Sequence, residues 1–475
     1  MTTWTDLVNP DALSKHGLVV TNPATGDVLA TLRDMGDSEV DTIIAEADQA
    51  RAAWASQTAK ARAAKLKAWN DLILAHQETL AQLITAECGK PLAEARGEVA
   101  YGASFLEWFA EEAKRVYGDV IPSHAEGKQI LVLRQPIGTA AAITPWNFPL
   151  AMITRKAGPA LAAGCSMVLK PAEATPLTAL ALETLAHQAG IPATLFRVIT
   201  TTQPARVGSL LCESDIIRKL SFTGSTAVGK ILMRQSADTI KKLSFELGGN
   251  APFIVFDDAD INAAVDGAMV SKYRNAGQTC VCVNRFLVQD SVYDDFVAKL
   301  SERVSAMKVG NGAEEGVTVG PLINAAALEK VETLMADACD KGAKIVTGGH
   351  RVDGSGAFYA PTVVTEVTPE MAIFSNEIFG PVATVVRFNT EEEAIAIANA
   401  TEYGLAAYFY TQNLGRSWRV MQKLEYGMVG VNEGIISTEV APFGGVKHSG
   451  LGREGSKYGI DEYVEMKYCL VGGLV

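Results

Sequence analysis

Cys280 is the residue of this chain whose setting best suits chemistry. It lies in SKYRNAGQTCVCVNRF, Ser271 to Phe286, at the end of the small-residue loop Ala276-Gly277-Gln278-Thr279, between a predicted helix and the apolar strand Phe286-Leu287-Val288. A nucleophilic thiol needs backbone that a substrate can approach, some exposure, and a nearby cation to favour thiolate. Even a free thiol, only a few per cent ionised at neutral pH, is a strong nucleophile. Three more stretches supply groups such a thiol would use. PWNFP, Pro145 to Pro149, holds Asn147, a short amide donor, among aromatic and proline residues. FELGGN, Phe245 to Asn250, sets Glu246 at the end of an apolar strand before two glycines, and EIFGPV, Glu377 to Val382, offers a carboxylate near Phe379. Taken singly each has a plainer explanation: cysteine is common core filler, a strand-end glutamate makes salt bridges, and an asparagine near proline makes turns.

The elements that must position these groups follow from length and pattern. A chain of 475 residues asks for about three domains rather than one core. Hydrophobic content of 48% with 20% charged residues is that of a globular protein. A net charge of −12 argues against nucleic acid or an anionic membrane as partner. Any anion site must then be built locally, from arginines or helix N-termini. Seven cysteines, an odd number without framework spacing, and a start with no basic-then-apolar signal point to a reducing cytosol. No apolar run reaches the ~18 residues of a membrane span. The six histidines never fall at i, i+4, so no metal site is expected.

Residues 22–32 read as a hairpin turning at Gly26-Asp27. Helical periodicity runs from Ser38, a predicted N-cap, to about Val116, with Leu66, Trp69, Ile73, Leu80 and Leu83 on one face and a stop at Gly89-Lys90-Pro91. The segment Val120 to Arg134 and the stretch Glu462 to Tyr468 read as strands outside the α/β alternation. We take them as a β-arm that pairs subunits; the alternative is an arm with no partner. Strands and helices alternate from Gly138 to Glu246, with Thr175-Pro176 opening one helix and Gly224-Ser225-Thr226 another. That rhythm predicts a parallel, doubly wound sheet of dinucleotide-binding type, with the Gly224-Ser225 helix N-terminus offered to phosphates. A second α/β rhythm follows Gly248, with Cys280 near its opening and facing the junction. GLGREG, Gly450 to Gly455, has dinucleotide-loop spelling, but no strand closely precedes it and only twenty residues follow, so it is set aside.

Taken together and in order, PWNFP, FELGGN, GQTC and EIFGPV resemble the aldehyde dehydrogenase superfamily over nearly the whole chain. The resemblance implies an α/β fold with a Rossmann-type cofactor domain (residues 1–117 and 139–247), an α/β catalytic domain (248–458) and a β oligomerisation arm (118–138 and 459–475). It implies that Cys280 adds to the aldehyde carbon to give a thiohemiacetal. The oxyanion is then held by the Asn147 amide and the Cys280 N–H, and losing one such donor typically lowers the rate ~100–1,000-fold. Glu246 is the base that activates water to hydrolyse the resulting thioester, which needs a raised pKa in a poorly solvated site. Lys170 and Glu173 match residues at the adenosine ribose; a carboxylate there suits NAD better than NADP, although Lys170 softens the preference. Glu377 matches the residue that holds the nicotinamide ribose, with Phe379 beside it and Thr144 and Trp146 lining the same groove.

Arg155 in MITRK and Arg274, six residues before the thiol, suggest capture of a carboxylate-bearing aldehyde in an otherwise acidic protein. With Ser437 and the closing GLGREGSKYGIDEY, this pattern is similar to the succinate-semialdehyde dehydrogenase group, where the three matching residues hold the substrate carboxylate. The alternative is that both arginines pair with the protein's own carboxylates. Each charge-assisted bond is worth ~1.5–3 kcal/mol, or ~10–100-fold in selection. Glutarate semialdehyde is one methylene longer, a difference of only ~1–3 kcal/mol, and stays open. Cys282, two residues on, is a possible redox partner of Cys280, as in similar enzymes, or plain packing. The expected enzyme is a cytoplasmic homodimer or homotetramer. Its rivals are an acylating dehydrogenase, against which Glu246 argues, a thiol hydrolase, and a non-catalytic cofactor-binding protein.

Overall fold

Thr139–Ile143 and Ser166–Lys170 are strands with every residue buried, and such strands need cover on both faces. In the computed structural model, which describes residues 3–474, they pair in parallel, and Ile143 stands opposite both Lys170 and Phe222. Their sheet has six strands, ordered Gly450–Leu451, Lys242–Glu246, Ile217–Thr223, Thr139–Ile143, Ser166–Lys170, Phe196–Val198, and only the first runs antiparallel to its neighbour. Side chains alternate between the faces with period two. Ala141, Val168 and Leu220 pack with Val40, Ile43, Ile44 and Ala47 of the helix Asp37–Ala55. Ala140, Ala142, Met167 and Leu169 pack with the helices that follow, through Leu66, Phe105 and Ile153. The chain proceeds from Thr139–Ile143 toward one edge, then crosses back to Ile217–Thr223 on the other side. That reversal opens a crevice at the strands' carboxyl ends, where ligands of such sheets bind.

A second sheet of seven strands is ordered Lys344–Thr347, Thr362–Thr365, Val382–Phe388, Val283–Gln289, Ala251–Val255, Ala406–Tyr410, Met428–Val431. All of its pairings are parallel except the first. It too is double-faced, with Ile254, Leu287 and Phe409 in one core and Phe253, Phe286 and Tyr408 in the other. The α/β class with a Rossmann-type sheet and a second α/β unit is thus present. Val464–Val471 pairs antiparallel with Gln129–Pro136, which pairs with Asp119–Ile121. Val120, Leu133, Met466, Tyr468 and Leu470 stand exposed on this three-stranded arm.

Several local readings shift. The helix expected from Ser38 starts at Asp37 with Gly36 as its N-cap, and Asp37 and Glu39 supply the acidic first turn. The apolar face of Leu66, Trp69, Ile73, Leu80 and Leu83 is divided between Ala59–Ala75 and Gln77–Cys88, broken at His76, although all five residues are buried. Gly89 ends the second of these in the left-handed region at φ 86. Thr175 caps Pro176–Gln188 by position but makes no side-chain cap bond. The Glu87 carboxylate accepts from the N–H groups of Leu177 and Thr178 instead, both at 2.9 Å.

Candidate active site

The loop before Cys280 is unusual backbone. Asn275, Ala276 and Gly277 all have positive φ, at 52°, 54° and 74°, a region that asparagine and glycine tolerate and that alanine ordinarily avoids. Buried bonds hold the run in place. The Asn275 N–H donates to Glu94 Oε2 at 2.7 Å, and Gln278 Oε1 accepts from the Ile323 N–H at 3.0 Å. Gly249 lies so close that a Cβ added there would meet the Cys280 carbonyl oxygen at 2.6 Å, which is why the strand-end motif needs glycine at that point. The Gly249 N–H donates to Glu377 Oε1 at 3.0 Å.

One cavity of about 310 Å³ gathers the predicted chemistry: Asn147, Glu246, Cys280, Glu377 and Phe379 all line it, with Trp146 and Ser225. Trp146 and Phe379 meet edge to face, with ring centroids 5.7 Å apart. A second cavity of about 490 Å³ shares Pro145, Trp146, Thr223 and Gly224 with the first and reaches Thr144, Lys170 and Glu173. Together they make one groove along the crevice of the six-stranded sheet. Thr144 Oγ1 is buried there without a hydrogen-bond partner. Ser225 caps the helix Thr226–Gln235, its side chain accepting from the Val228 N–H at 3.3 Å. Lys170 Nζ pairs with the Glu173 carboxylate and donates to the Pro171 carbonyl at 2.9 Å. The shape, the free hydroxyl and the helix N-terminus fit a dinucleotide.

Electrostatics separate the roles. Burial pushes the Cys280 thiol up to about 12; Arg155 and Arg274 pull it down, while Glu246 and Glu377 push it further up. The cations expected near the thiol are present but do not outweigh desolvation, so the resting group is a neutral thiol. Burial also raises Glu246 to about 8, helped by the Glu454 charge and opposed by Arg155 and Lys156. Glu246 Oε2 is buried with no partner. The carboxylate is therefore partly ionised near neutrality and free to accept a proton. Asn147 Nδ2 donates to the Gln278 carbonyl at 2.9 Å, leaving the second amide proton for another acceptor.

The three residues expected at the substrate carboxylate do not line this cavity. Arg155 is buried on the helix Ala151–Ala163, ion-paired with Glu454 and 4.2 Å from the centroid of the Phe443 ring. Arg274 sits over the Phe148 ring at 5.4 Å, and among the described residues no carboxylate lies within 4 Å of it. Ser437 is half-buried in the loop that follows Met428–Val431. Cys282 is buried, its Sγ 3.3 Å from Lys272 Nζ. The Cys282 N–H donates to the Thr279 carbonyl at 3.1 Å and closes a turn through Cys280.

Sequence reasoning passed over Lys156 and Glu454. Glu454 lies in the GLGREG stretch set aside as a dinucleotide loop; its carboxylate binds both Arg155 and Lys156, and Lys156 Nζ also donates to Thr223 Oγ1 at 2.6 Å. The available signal was charge in an otherwise glycine-rich segment near the C-terminus.

The chain matches the model of the aldehyde dehydrogenase family over residues 9–469. It is 58% identical over 464 residues to a glutarate-semialdehyde dehydrogenase of Pseudomonas aeruginosa, covering 98% of this chain and 96% of that protein. It is 57% identical over 469 residues to the succinate-semialdehyde dehydrogenase (NADP(+)) GabD of Escherichia coli, covering 99% and 96%. The solved structure of a succinate-semialdehyde dehydrogenase from Burkholderia pseudomallei superposes with a TM-score of 0.96 at 56% identity, covering 98% of each chain.

Proposed function

The chain belongs to the aldehyde dehydrogenase family, and from that premise we propose that it oxidises succinate semialdehyde to succinate with NAD, NADP being the second choice. One observation carries the chemistry: a single cavity brings together a thiol, an amide donor and a buried carboxylate poised near neutrality, and it opens into a dinucleotide-shaped groove.

Bound NAD(P) supplies the hydride acceptor. The chain's own residues do the rest. Cys280 Sγ adds to the aldehyde carbon and passes its proton to Glu246, which releases it to solvent before the hydrolytic step. The Asn147 amide and the Cys280 N–H stabilise the oxyanion of the thiohemiacetal. Once the thioester has formed, Glu246 removes a proton from the water that hydrolyses it, and Cys280 leaves. Thr144, Trp146, Lys170, Glu173, Gly224 and Ser225 hold the dinucleotide, while Glu377 and Phe379 fix its nicotinamide end. Residues 1–117 and 139–247 serve as the cofactor domain, 248–458 as the catalytic domain, and the exposed arm of 118–138 and 459–475 pairs subunits in a homodimer or homotetramer. A cytoplasmic setting suits the free cysteines; among the described residues no helix is long and apolar enough to cross a membrane.

The substrate assignment rests on Arg274, a cation near the thiol that is not spent on an ion pair, with Ser437 as a further carboxylate contact, while Arg155, paired with Glu454, supports the site indirectly. Glutarate semialdehyde is the second reading, supported by the relative acting on it and by the small discrimination a methylene affords. NADH formation with succinate semialdehyde, glutarate semialdehyde and butanal tests both. Preference for the two acids supports the proposal. Equal efficiency on all three removes the carboxylate argument, and no NADH from any of them removes the reaction.

A further inference from the structure

Asn147 is gripped by its main chain as firmly as by its side chain. Its carbonyl oxygen accepts from Lys90 Nζ at 2.7 Å and from Asn275 Nδ2 at 2.9 Å. Lys90 is only 2% exposed, and a buried ammonium persists when it is paired and hydrogen-bonded. Its partner is Glu98, at 2.5 Å, whose other oxygen accepts from the N–H groups of Leu150 and Ala151 at 2.9 and 3.3 Å. The same carboxylate thus holds Lys90 and caps the helix that follows Asn147.

Both donors are themselves fixed. Lys90 follows Gly89, whose left-handed backbone is wedged so that an added Cβ would lie 2.7 Å from Pro321, and the Leu92 N–H donates to the Gly312 carbonyl at 2.9 Å. Asn275 is held through its N–H by Glu94, within the positive-φ run before the thiol. One donor lies between the helices Gln77–Cys88 and Leu92–Glu112 and the other in the Cys280 loop. They meet on one carbonyl.

We propose that Lys90 and Asn275 are positioning residues for thiol addition, acting through the Asn147 carbonyl to keep the Asn147 amide in register with Cys280. This rests on Asn147 being the oxyanion donor. A misplacement of about 1 Å in such a site lowers the rate about 100-fold, so a clamp on the donor's own backbone has a kinetic consequence. Neither residue touches the reacting atoms.

The test is a mutant cycle on the whole enzyme, reading the pre-steady-state NADH burst with NAD and whichever of the three aldehydes the wild type uses best. Iodoacetamide alkylation of Cys280, which forms no oxyanion, is the control. Lys90→Met is expected to slow the burst ~10–100-fold with KM and alkylation rate unchanged, and to add nothing in an Asn147→Ala background. Asn275→Ala, which leaves the Lys90–Glu98 pair intact, is expected to give a smaller loss that also vanishes in that background. A wild-type burst in Asn147→Ala would overturn the oxyanion reading, and the positioning role with it. A slow Asn147→Ala with a wild-type burst in Lys90→Met, full additivity, or an equal loss of alkylation would overturn the positioning role alone. Should Lys90→Met fail to fold, Asn275→Ala decides by the same criteria.

Discussion

Lys156 and Glu454 form a buried ion pair across 298 positions of sequence. It lies beside the candidate base: the Glu454 charge helps raise Glu246, and Lys156 opposes it. The proton affinity of Glu246 is therefore set by a charged pair near it as well as by its own burial. An isolated buried ion would be costly, and one bonded on several sides is tolerated; Glu454 meets both Arg155 and Lys156.

Only the ionised form of Glu246 can accept a proton from water, and burial raises its pKa to about 8. Steady-state turnover should therefore climb as pH rises through that value. Glu246→Gln should remove this limb and lower kcat ~100–10,000-fold, the range for losing a general base. The first-turnover NADH burst should slow, since the thiol loses its proton acceptor, yet keep an amplitude near one per active site. Stopped-flow fluorescence across pH 6 to 9 reads both, and steady-state turnover unchanged in Glu246→Gln would move Glu246 out of the hydrolytic step.

Glu454→Gln removes a negative charge that raises the Glu246 pKa and releases two cations that lower it, so both effects act in one direction. The rising limb of turnover against pH should shift to lower pH. Breaking a buried pair by removing one partner typically costs ~3–5 kcal/mol of stability, visible in a denaturant midpoint. A pH profile identical to wild type would show that Glu246 does not sense this pair.

Arg155 and Arg274 should separate on substitution. Arg274→Ala should lower kcat/KM for succinate semialdehyde ~10–100-fold, the worth of a charge-assisted bond, and leave butanal almost unchanged. Arg155→Met should impair both aldehydes alike, because it strips Glu454 of a buried partner. Parallel losses for the two aldehydes in Arg274→Ala would deny it a role in selecting acids.

Features written in short stretches of sequence were legible. Gly89 ends a helix, Pro176 and Ser225 open helices, and the α/β alternation on both sides of Gly248 becomes the two sheets. Cys280, Asn147, Glu246, Glu377 and Phe379 were found because four motifs in order resemble one family, although each alone has a plainer explanation, and they line one cavity. What escaped was pairing over distance. Nothing in the spacing of Glu454 tells that it meets Arg155, or in that of Lys90 that it meets Asn147, since tertiary packing alone makes those contacts. The Ser38 cap failed for a subtler reason: Gly36 already has the extended backbone a cap needs, and the acidic residues at 37 and 39 serve the helix dipole without a serine side chain.

The Lys170–Glu173 pair lies at the far end of the groove, and on the proposed reading cofactor choice turns on it. The carboxylate repels a 2′-phosphate and also occupies the ammonium that would bind one. Glu173→Ala should raise the ratio of NADP to NAD efficiency ~10–100-fold, by freeing Lys170 for a charge-assisted bond to phosphate. Initial-rate kinetics with both nucleotides decide this, and an unchanged ratio would place the ribose elsewhere.

Oxidation offers a separate test of the thiol loop. Cys282 Sγ rests against Lys272 Nζ at 3.3 Å, and the Thr279–Cys282 turn folds the two cysteines into one bend. Peroxide would convert the Cys280 thiol to a sulfenic acid with release of water; the Cys282 thiol would then displace a second water to give a disulfide. Cys282 must leave Lys272 for this to happen, so closure should be slower than the first oxidation. Activity should fall with peroxide and return with dithiothreitol in the wild type, and intact mass should show the loss of two hydrogens. In Cys282→Ala no resolving thiol remains, so oxidation should run on to sulfinic acid and become irreversible. Recovery of Cys282→Ala to the wild-type extent would leave Cys282 as core packing held by Lys272.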